Sequence, residues 1–594
     1  MTKKKVFWIM FVLFTLLVVP FLGIYDFNTM GEPREALVAS NMLESGNWIL
    51  PLDQAGEFTH QPPFFHWCVA VVSAIRGGVN EFTARFPSAV AFIALCLATF
   101  SFFVKRRNLF TALLTTCITF TTYELHRQGF NCRVDMVFTC CMVGALYLLY
   151  RWYERDMKGV PWLAVLLLSL SALTKGPAMI LICCLAMTLF LLLRRVSVLK
   201  TLLWMLAIGL LSLVLPTAWY LAAYQQGGEA FLAMAWHDTV GQLIRSVSDF
   251  EPISSWLPNV LFFLMGFLPW CFLIIISLFT LPYRSLHRQM SQDRVHGIWL
   301  RVKYWFRNTD PIHVFSLSVI VVVLFFCCIA ESKRSIHLMP LYPFLSFFIA
   351  RYVYWLVDHR NVAIKIYGGF VSVLGMLLII ILVCNQFITI PESFFHGRRA
   401  QNGIDMAHQL HSIWNVWSWV LIIIPSFLCA YWWKWLRGNK SSFHRHVLDI
   451  ILMTLALYIP VDSVVKPATL NAQSVKRVAQ DIAREAEPSG GDIYEYLLEN
   501  EQATDEHNHY YELHYYLGNR VKPFSSHPDH GFLIISRDDA RQCLSRFEDE
   551  GYCFTEVYNS GRKPVMKRQI VLYQFSSCHT LAQHTQFITN ERTN

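Results

Sequence analysis

The chain reads as long apolar runs separated by short polar stretches. Runs of about 15 to 25 residues suit a helix crossing ~30 Å of hydrocarbon at 1.5 Å per residue. Thirteen spans are predicted, at 7–25, 87–104, 109–123, 136–150, 161–173, 178–193, 201–224, 257–281, 314–330, 336–356, 365–384, 413–433 and 447–461. The fifth and the last are short for a crossing. The first follows Lys3, Lys4 and Lys5 and no small-residue cleavage site succeeds it, so it is expected to stay as an anchor. Beyond residue 461 the pattern changes. Residues 471–486 repeat apolar positions at helical spacing, 531–536 and 569–575 read as strands, and 537–550 fits another helix. The expected fold class is therefore a polytopic α-helical membrane protein, residues 1–461, carrying a soluble α/β domain at 462–594 that is long enough to bury its own core.

Composition agrees. Of 594 residues, 55% are hydrophobic and only 15% charged, with mean hydropathy +0.39, which excludes a soluble enzyme, a coiled coil and a disordered chain. Residues 1–460 hold 36 Lys+Arg against 22 Asp+Glu, and residues 461–594 hold 14 against 19. With a cytoplasmic N-terminus, the inner segments carry 24 Lys+Arg and the outer loops before the tail only 11. This positive-inside bias places the tail outside and explains the basic surplus without nucleic acid.

Two outer loops are long, 26–86 and 225–256, and long loops of this kind are usually functional. Most of the sixteen cysteines fall within spans and act as small apolar side chains. In the tail, Cys543 and Cys553 are candidates for a bridge if the compartment is oxidising. No CxxC motif, glycine-rich phosphate loop or internal repeat is present.

Ionisable residues at membrane depth are costly and tend to be functional. On the outer side they are few: Glu32, Arg34 and Glu35 after the first span; His60 and Gln61 before the segment Pro62-Pro-Phe-Phe-His-Trp67; Arg133 and Asp135 at the fourth span; Lys175 ending the fifth; His237 and Asp238 in the second long loop; Lys333 and Arg334 before the tenth span. The set combines carboxylates that accept a proton with cations that hold an anion beside lipid. A reaction whose leaving group is a lipid phosphate needs both, and glycosyl transfer from a polyprenyl phosphate is such a reaction. Each residue also has a plainer reading: Glu32 and Asp135 as helix-start residues, Arg34, Lys175, Lys333 and Arg334 as cations reaching headgroups, and the histidines as polar loop residues.

In order along the chain stand Gly31-Glu-Pro-Arg-Glu-Ala, Phe58-Thr-His-Gln-Pro-Pro, Arg85-Phe-Pro-Ser-Ala, Arg133-Val-Asp, Thr174-Lys-Gly-Pro177 and Ser332-Lys-Arg-Ser-Ile-His-Leu-Met-Pro340. This series resembles the bacterial aminoarabinose:lipid A transferases and the related protein O-mannosyltransferases, integral-membrane glycosyltransferases of the GT-C class. The resemblance covers roughly residues 7–350 by motif. It implies a donor sugar on a polyprenyl phosphate, a lipid or protein acceptor, and transfer at the periplasmic face of the bacterial inner membrane with no required cofactor. It further implies Glu32 as base with Asp135 as the next choice, and Arg34, Lys175, Lys333 and Arg334 around the donor phosphate. Glu35, Gln61 and Asp238 are then expected in the substrate loops.

Two departures from the family pattern matter. Gly31 stands where the first acid of an acidic pair is expected, and His60-Gln61-Pro62 replaces an acidic-Lys-Pro step. Relatives hold a divalent metal between these loops, so His60 with His237 is a candidate pair for structural zinc. The competing class, a secondary transporter or lipid flippase, calls for charged or broken helices at the midplane and usually an internal repeat. The ionisable residues here gather instead at one face.

Overall fold

The computed structural model describes residues 2–577 except 28–30, 53–57, 60, 238–256, 281–305, 307, 330–333, 360, 389–390, 392, 394, 397–399, 437–442, 490, 500–508, 527 and 566–567. Each predicted apolar run lies on helix. The membrane part comprises α1 (Lys3–Val18), α2 (Gly31–Ser45), α3 (Phe64–Arg76), α4 (Glu81–Phe103), α5 (Leu109–Phe120), α6 (Tyr123–Gly129), α7 (Val134–Tyr153), α8 (Trp162–Lys175), α9 (Ala178–Leu193) and α10 (Val198–Trp236). It continues through α11 (Leu257–Gly266), α12 (Cys271–Thr280), α13 (Pro311–Ile329), α14 (Tyr342–His359), α15 (Asn361–Phe387), α16 (Ala400–Ser412), α17 (Val416–Leu436) and α18 (Phe443–Pro460). Among the described residues, nine helical spans are long and apolar enough to cross a membrane. A tenth is added if α11 and α12, bent by 104° at their break, form one span. Helices α5, α8 and α9 are apolar but shorter.

Local sequence sets the helix ends that matter for the site. Asn80 caps α4 in a reciprocal capping box with Thr83. Helix α8 stops at Lys175 because Gly176 takes a φ of 99° and Pro177 follows. In α10, Gly228 at φ 59° turns the chain between two helical pieces. The two long outer loops are therefore partly helical: the first contains α2, α3 and the start of α4, and the second begins as the continuation of α10 to Trp236. On α10, Leu199, Leu202, Leu203, Leu206 and Leu210 form an exposed stripe at helical spacing, as a lipid-facing surface requires.

After α18 the chain runs through α19 (Lys466–Asn471) and α20 (Lys476–Ala486) into a five-stranded sheet in the order β2-β1-β3-β5-β4. The strands are β1 (Ile493–Tyr496), β2 (Val521–Pro523), β3 (His530–Ser536), β4 (Tyr552–Val565) and β5 (Arg568–Ser577). Both β2 and β3 run parallel to β1, and β5 runs antiparallel to β3 and β4. Phe532 and Ile534 face a core shared with α20 and with α21 (Tyr511–Tyr516), whereas Leu533 and Ile535 face α22 (Arg537–Asp549). Burial on both faces explains the unbroken apolar run of β3. The candidate Cys543–Cys553 bridge is not formed: Cys543 lies in the core under α22, whereas Cys553 is exposed.

This sheet region is fastened to the outer loops. Asn471 Oδ1 accepts the Asp26 N–H at 2.9 Å, and Lys476 Nζ lies 3.1 Å from Asp26 Oδ1. The Tyr516 hydroxyl accepts the Phe27 N–H at 2.9 Å and donates to Glu81 at 3.1 Å, while Tyr515 donates to the Val79 carbonyl at 3.1 Å. Helix α21 thus lies across α2, with Arg34 over the Tyr511 ring at 5.7 Å.

Glu512 of α21 is buried in this contact. Burial first, and then the like charge of Glu32, push its carboxyl up from 4.5 to about 7. A raised carboxyl pKa means the docked state holds the proton more tightly than the free one, so this contribution is fully present below pH 4.5 and is lost as pH rises through 7. Proteolysis of the tail in detergent should therefore accelerate above pH 7, and Glu512→Gln should flatten that dependence. An unchanged pH profile in the variant would contradict the contact.

Candidate active site

The candidate site is built around a buried ion pair. Arg85, in the second turn of α4, has no exposed surface, and Glu32 at the start of α2 is 2% exposed. Arg85 Nε donates to Glu32 Oε1 at 2.9 Å and Nη2 to Oε2 at 3.0 Å. Its remaining protons go to main-chain carbonyls: Leu22 at 3.0 Å, Tyr25 at 2.7 Å and Asp26 at 3.1 Å. The guanidinium also stacks over the Tyr25 ring at 3.9 Å. Glu32 Oε1 accepts a further N–H from Cys132 at 2.9 Å. A carboxylate held by a bidentate arginine and a backbone amide is an anchor, and protonating it would strand the Arg85 charge. Glu32, the expected base, ties α2 to α4 and to the turn before α7.

The second acid has a different setting. Asp135, in the first turn of α7, is 1% exposed. Its Oδ1 is 2.5 Å from Lys175 Nζ, and Oδ2 is 3.6 Å from Arg133 Nε without a hydrogen bond among the described residues. Arg133 reaches this position because residue 31 has no side chain: a Cβ there would lie 2.0 Å from Arg133 Nη1. The substitution of Gly31 for an acid is thereby explained in space. A guanidinium lies where the side chain would begin.

Lys175 also opens on a cavity of about 230 Å³. Phe138, Met142, Ile182, Val323 and Phe326 wall it, and Lys175 and His337 supply its polar end. The cavity runs between α7, α9 and α13, with apolar walls leading to a cation beside a carboxylate.

Glu35, one turn beyond Glu32, is 2.5 Å from His66 Nε2 of α3. Burial would raise its carboxyl, but the His66 hydrogen bond and charge, with Arg34 and Arg133 nearby, hold it below the ordinary 4.5. Gln61 is half-buried, and its Oε1 has no hydrogen-bond partner among the described residues. Arg334 is exposed at the start of the Ser335–Leu341 turn, and His237 is exposed at the end of α10. Lys333, His60 and Asp238 lie outside the described residues. Of the candidate zinc pair only His237 is among the described residues.

The structure thus brings Glu32, Arg34 and Glu35 together on α2 beneath α21 and links them through Arg133 to Asp135 and Lys175. It adds residues to which the sequence reading gave no role, Arg85, His66, His337 and Glu512, and it gives a place to Arg133, already named there beside Asp135. Arg85 carried a usable signal, an arginine within an apolar 23-residue helix. Glu512, contributed by the tail, carried none.

Two substitutions separate anchor from site. Arg85→Ala should cost about 3–5 kcal/mol, because it leaves Glu32 buried and uncompensated. Gly31→Ala should only swing the flexible end of Arg133 away, leaving the unfolding midpoint nearly unchanged. Denaturant unfolding in detergent checks both, and a stable Arg85→Ala protein would contradict the anchor.

Comparison with known proteins fits this layout. Residues 60–220 match the family described as dolichyl-phosphate-mannose-protein mannosyltransferase. An uncharacterised protein of Aquifex aeolicus is 26% identical over 350 residues, 57% of this chain and 64% of that protein, so the match spans under two thirds of that relative. An undecaprenyl phosphate-alpha-4-amino-4-deoxy-L-arabinose arabinosyl transferase of Shewanella sediminis is 20% identical over 475 residues, covering 78% of this chain and 77% of the relative. The crystal structure of ArnT from Cupriavidus metallidurans bound to undecaprenyl phosphate superposes with a TM-score of 0.63 at 16% identity, covering 95% of this chain and 97% of that one. Its apo state gives a TM-score of 0.61. The chain therefore shares the fold of the ArnT crystal structures, and its residues 60–220 are similar to the mannosyltransferase family model.

Proposed function

We propose that this protein is a glycosyltransferase that moves a sugar from a polyprenyl phosphate to an envelope acceptor, with lipid A as the favoured acceptor. The observation that carries the reading is Lys175 at the polar end of an apolar cavity, paired there with Asp135, which Arg133 also approaches. An apolar groove suits a prenyl chain, and cations at its end suit the phosphate to which that chain is joined. The relatives named for aminoarabinose transfer from undecaprenyl phosphate support the same donor class.

In the proposed reaction, Asp135 Oδ2 accepts the proton of the acceptor hydroxyl as that oxygen attacks the anomeric carbon. The bond between the anomeric carbon and the phosphate oxygen breaks, and the polyprenyl phosphate leaves with its new charge facing Lys175 and Arg133. Both cations already face a carboxylate, so their positions are set before substrate arrives and little reorganisation is needed. Glu32 and Arg85 hold α2, α4 and the turn before α7 in register. Glu35 with His66, Arg34 and Gln61 line the approach under α21. No metal takes part in any step.

The positive-inside charge bias supports a cytoplasmic N-terminus, with this site and the tail on the periplasmic face of the inner membrane.

Purified protein given a labelled polyprenyl-phosphate sugar should release polyprenyl phosphate and label the acceptor. Asp135→Asn should lower kcat by about 10²–10⁴ with donor binding retained. Lys175→Met should mainly weaken donor binding. Full activity in both variants would remove these assignments, and substrate flux across sealed vesicles without bond cleavage would favour a transporter.

A further inference from the structure

Away from this site, the tail holds a second cluster of chemically capable side chains. Glu495 lies on β1, His509 just before α21, and His514 within α21. They are 5%, 4% and 1% exposed and sit beside an apolar core that includes Tyr510, Leu513 and Ile493. His509 Nδ1 contacts Glu495 Oε1, and His514 Nε2 lies 2.8 Å from Glu495 Oε2. One ligand atom from each residue falls within 4.8 Å of the others.

Hydrogen bonding alone accounts poorly for the trio. The single carboxylate also accepts the Tyr510 N–H at 3.2 Å, and His514 Nε2, although close to it, is not aligned to donate. Neither nitrogen of the His514 ring makes a hydrogen bond among the described residues, at a position with almost no solvent. Burying polar groups without partners is costly unless something else satisfies them. Two imidazoles and a carboxylate converging on one point form a donor set suited to zinc. Ligand atoms about 2.0–2.1 Å from a tetrahedral zinc lie about 3.3 Å apart, a separation that this cluster reaches with small side-chain rotations.

We propose that Glu495, His509 and His514 bind a divalent transition metal, zinc by preference, which ties α21 to the sheet. The position has a consequence for the rest of the molecule. Helix α21 also carries Tyr511, Tyr515 and Tyr516, whose contacts with Arg34, Val79 and Phe27 seat the tail on the outer loops. A metal at its base fixes that helix to β1 and so holds the cover over the loop containing Glu32 and Glu35. This site is separate from the His60 and His237 pair, and it does not rest on the proposed transfer reaction.

The test uses the full chain in detergent, stripped with chelator, dialysed and titrated with zinc alone. Wild type should take up one equivalent that also raises its unfolding temperature, and cobalt in its place should show the visible bands of a low-symmetry site. Glu495→Gln and His514→Gln, singly and together, should lose that equivalent and the thermal gain, whereas His237→Ala should keep both. If His514→Gln fails to fold, Glu495→Gln and the cobalt spectrum of wild type decide the matter. Absence of zinc uptake by wild type, equal uptake by the Glu495 variant, or loss of the zinc in His237→Ala would each overturn the proposal.

Discussion

A guanidinium sits in the second turn of an apolar helix, where an unpaired charge would cost several kcal/mol. Arg85 avoids that cost by spending every proton it has on Glu32 and on three carbonyls of the segment joining α1 to α2. The same pair therefore fixes three things together: where the first helix ends, how α2 enters, and, through the Cys132 amide, where α7 begins. Asp135 lies three residues beyond that amide. The placement of the reactive cluster is thus a consequence of the anchor and needs no separate device.

Two acids on the outer face consequently differ in kind. Glu32 has its oxygens committed, whereas Asp135 keeps Oδ2 unbonded among the described residues and shares its charge with Lys175 and Arg133. The glycine at position 31 belongs to this arrangement, since the absent side chain is what admits Arg133. A change that looks like a lost acid in the sequence is, in space, a gained cation.

Hydropathy made the helices legible because a membrane leaves few alternatives for a long apolar run, and each predicted run overlaps a helix among the described residues, although only nine or ten of these are long and apolar enough to cross. In the tail, β3, β5 and the flanking helices were equally readable, but β1, β2 and α21 are too short to show a period. That omission hid Glu512 and the Glu495 cluster, which exist only when residues far apart in sequence meet. The site was legible as a set of residues and less so as a set of roles. Composition cannot distinguish a carboxylate saturated by arginine, as Glu32 is, from one with an oxygen unbonded among the described residues, as Asp135 is.

The central claim is that the cavity between α7, α9 and α13 holds a prenyl chain and that its phosphate meets Lys175 and Arg133. A structure of the purified protein with bound polyprenyl phosphate tests this most directly. The account predicts the phosphate within hydrogen-bond distance of Lys175 Nζ and the chain lying along Phe138, Ile182 and Val323. A phosphate seated elsewhere, with the Lys175–Asp135 pair closed and the cavity free of lipid, would contradict it.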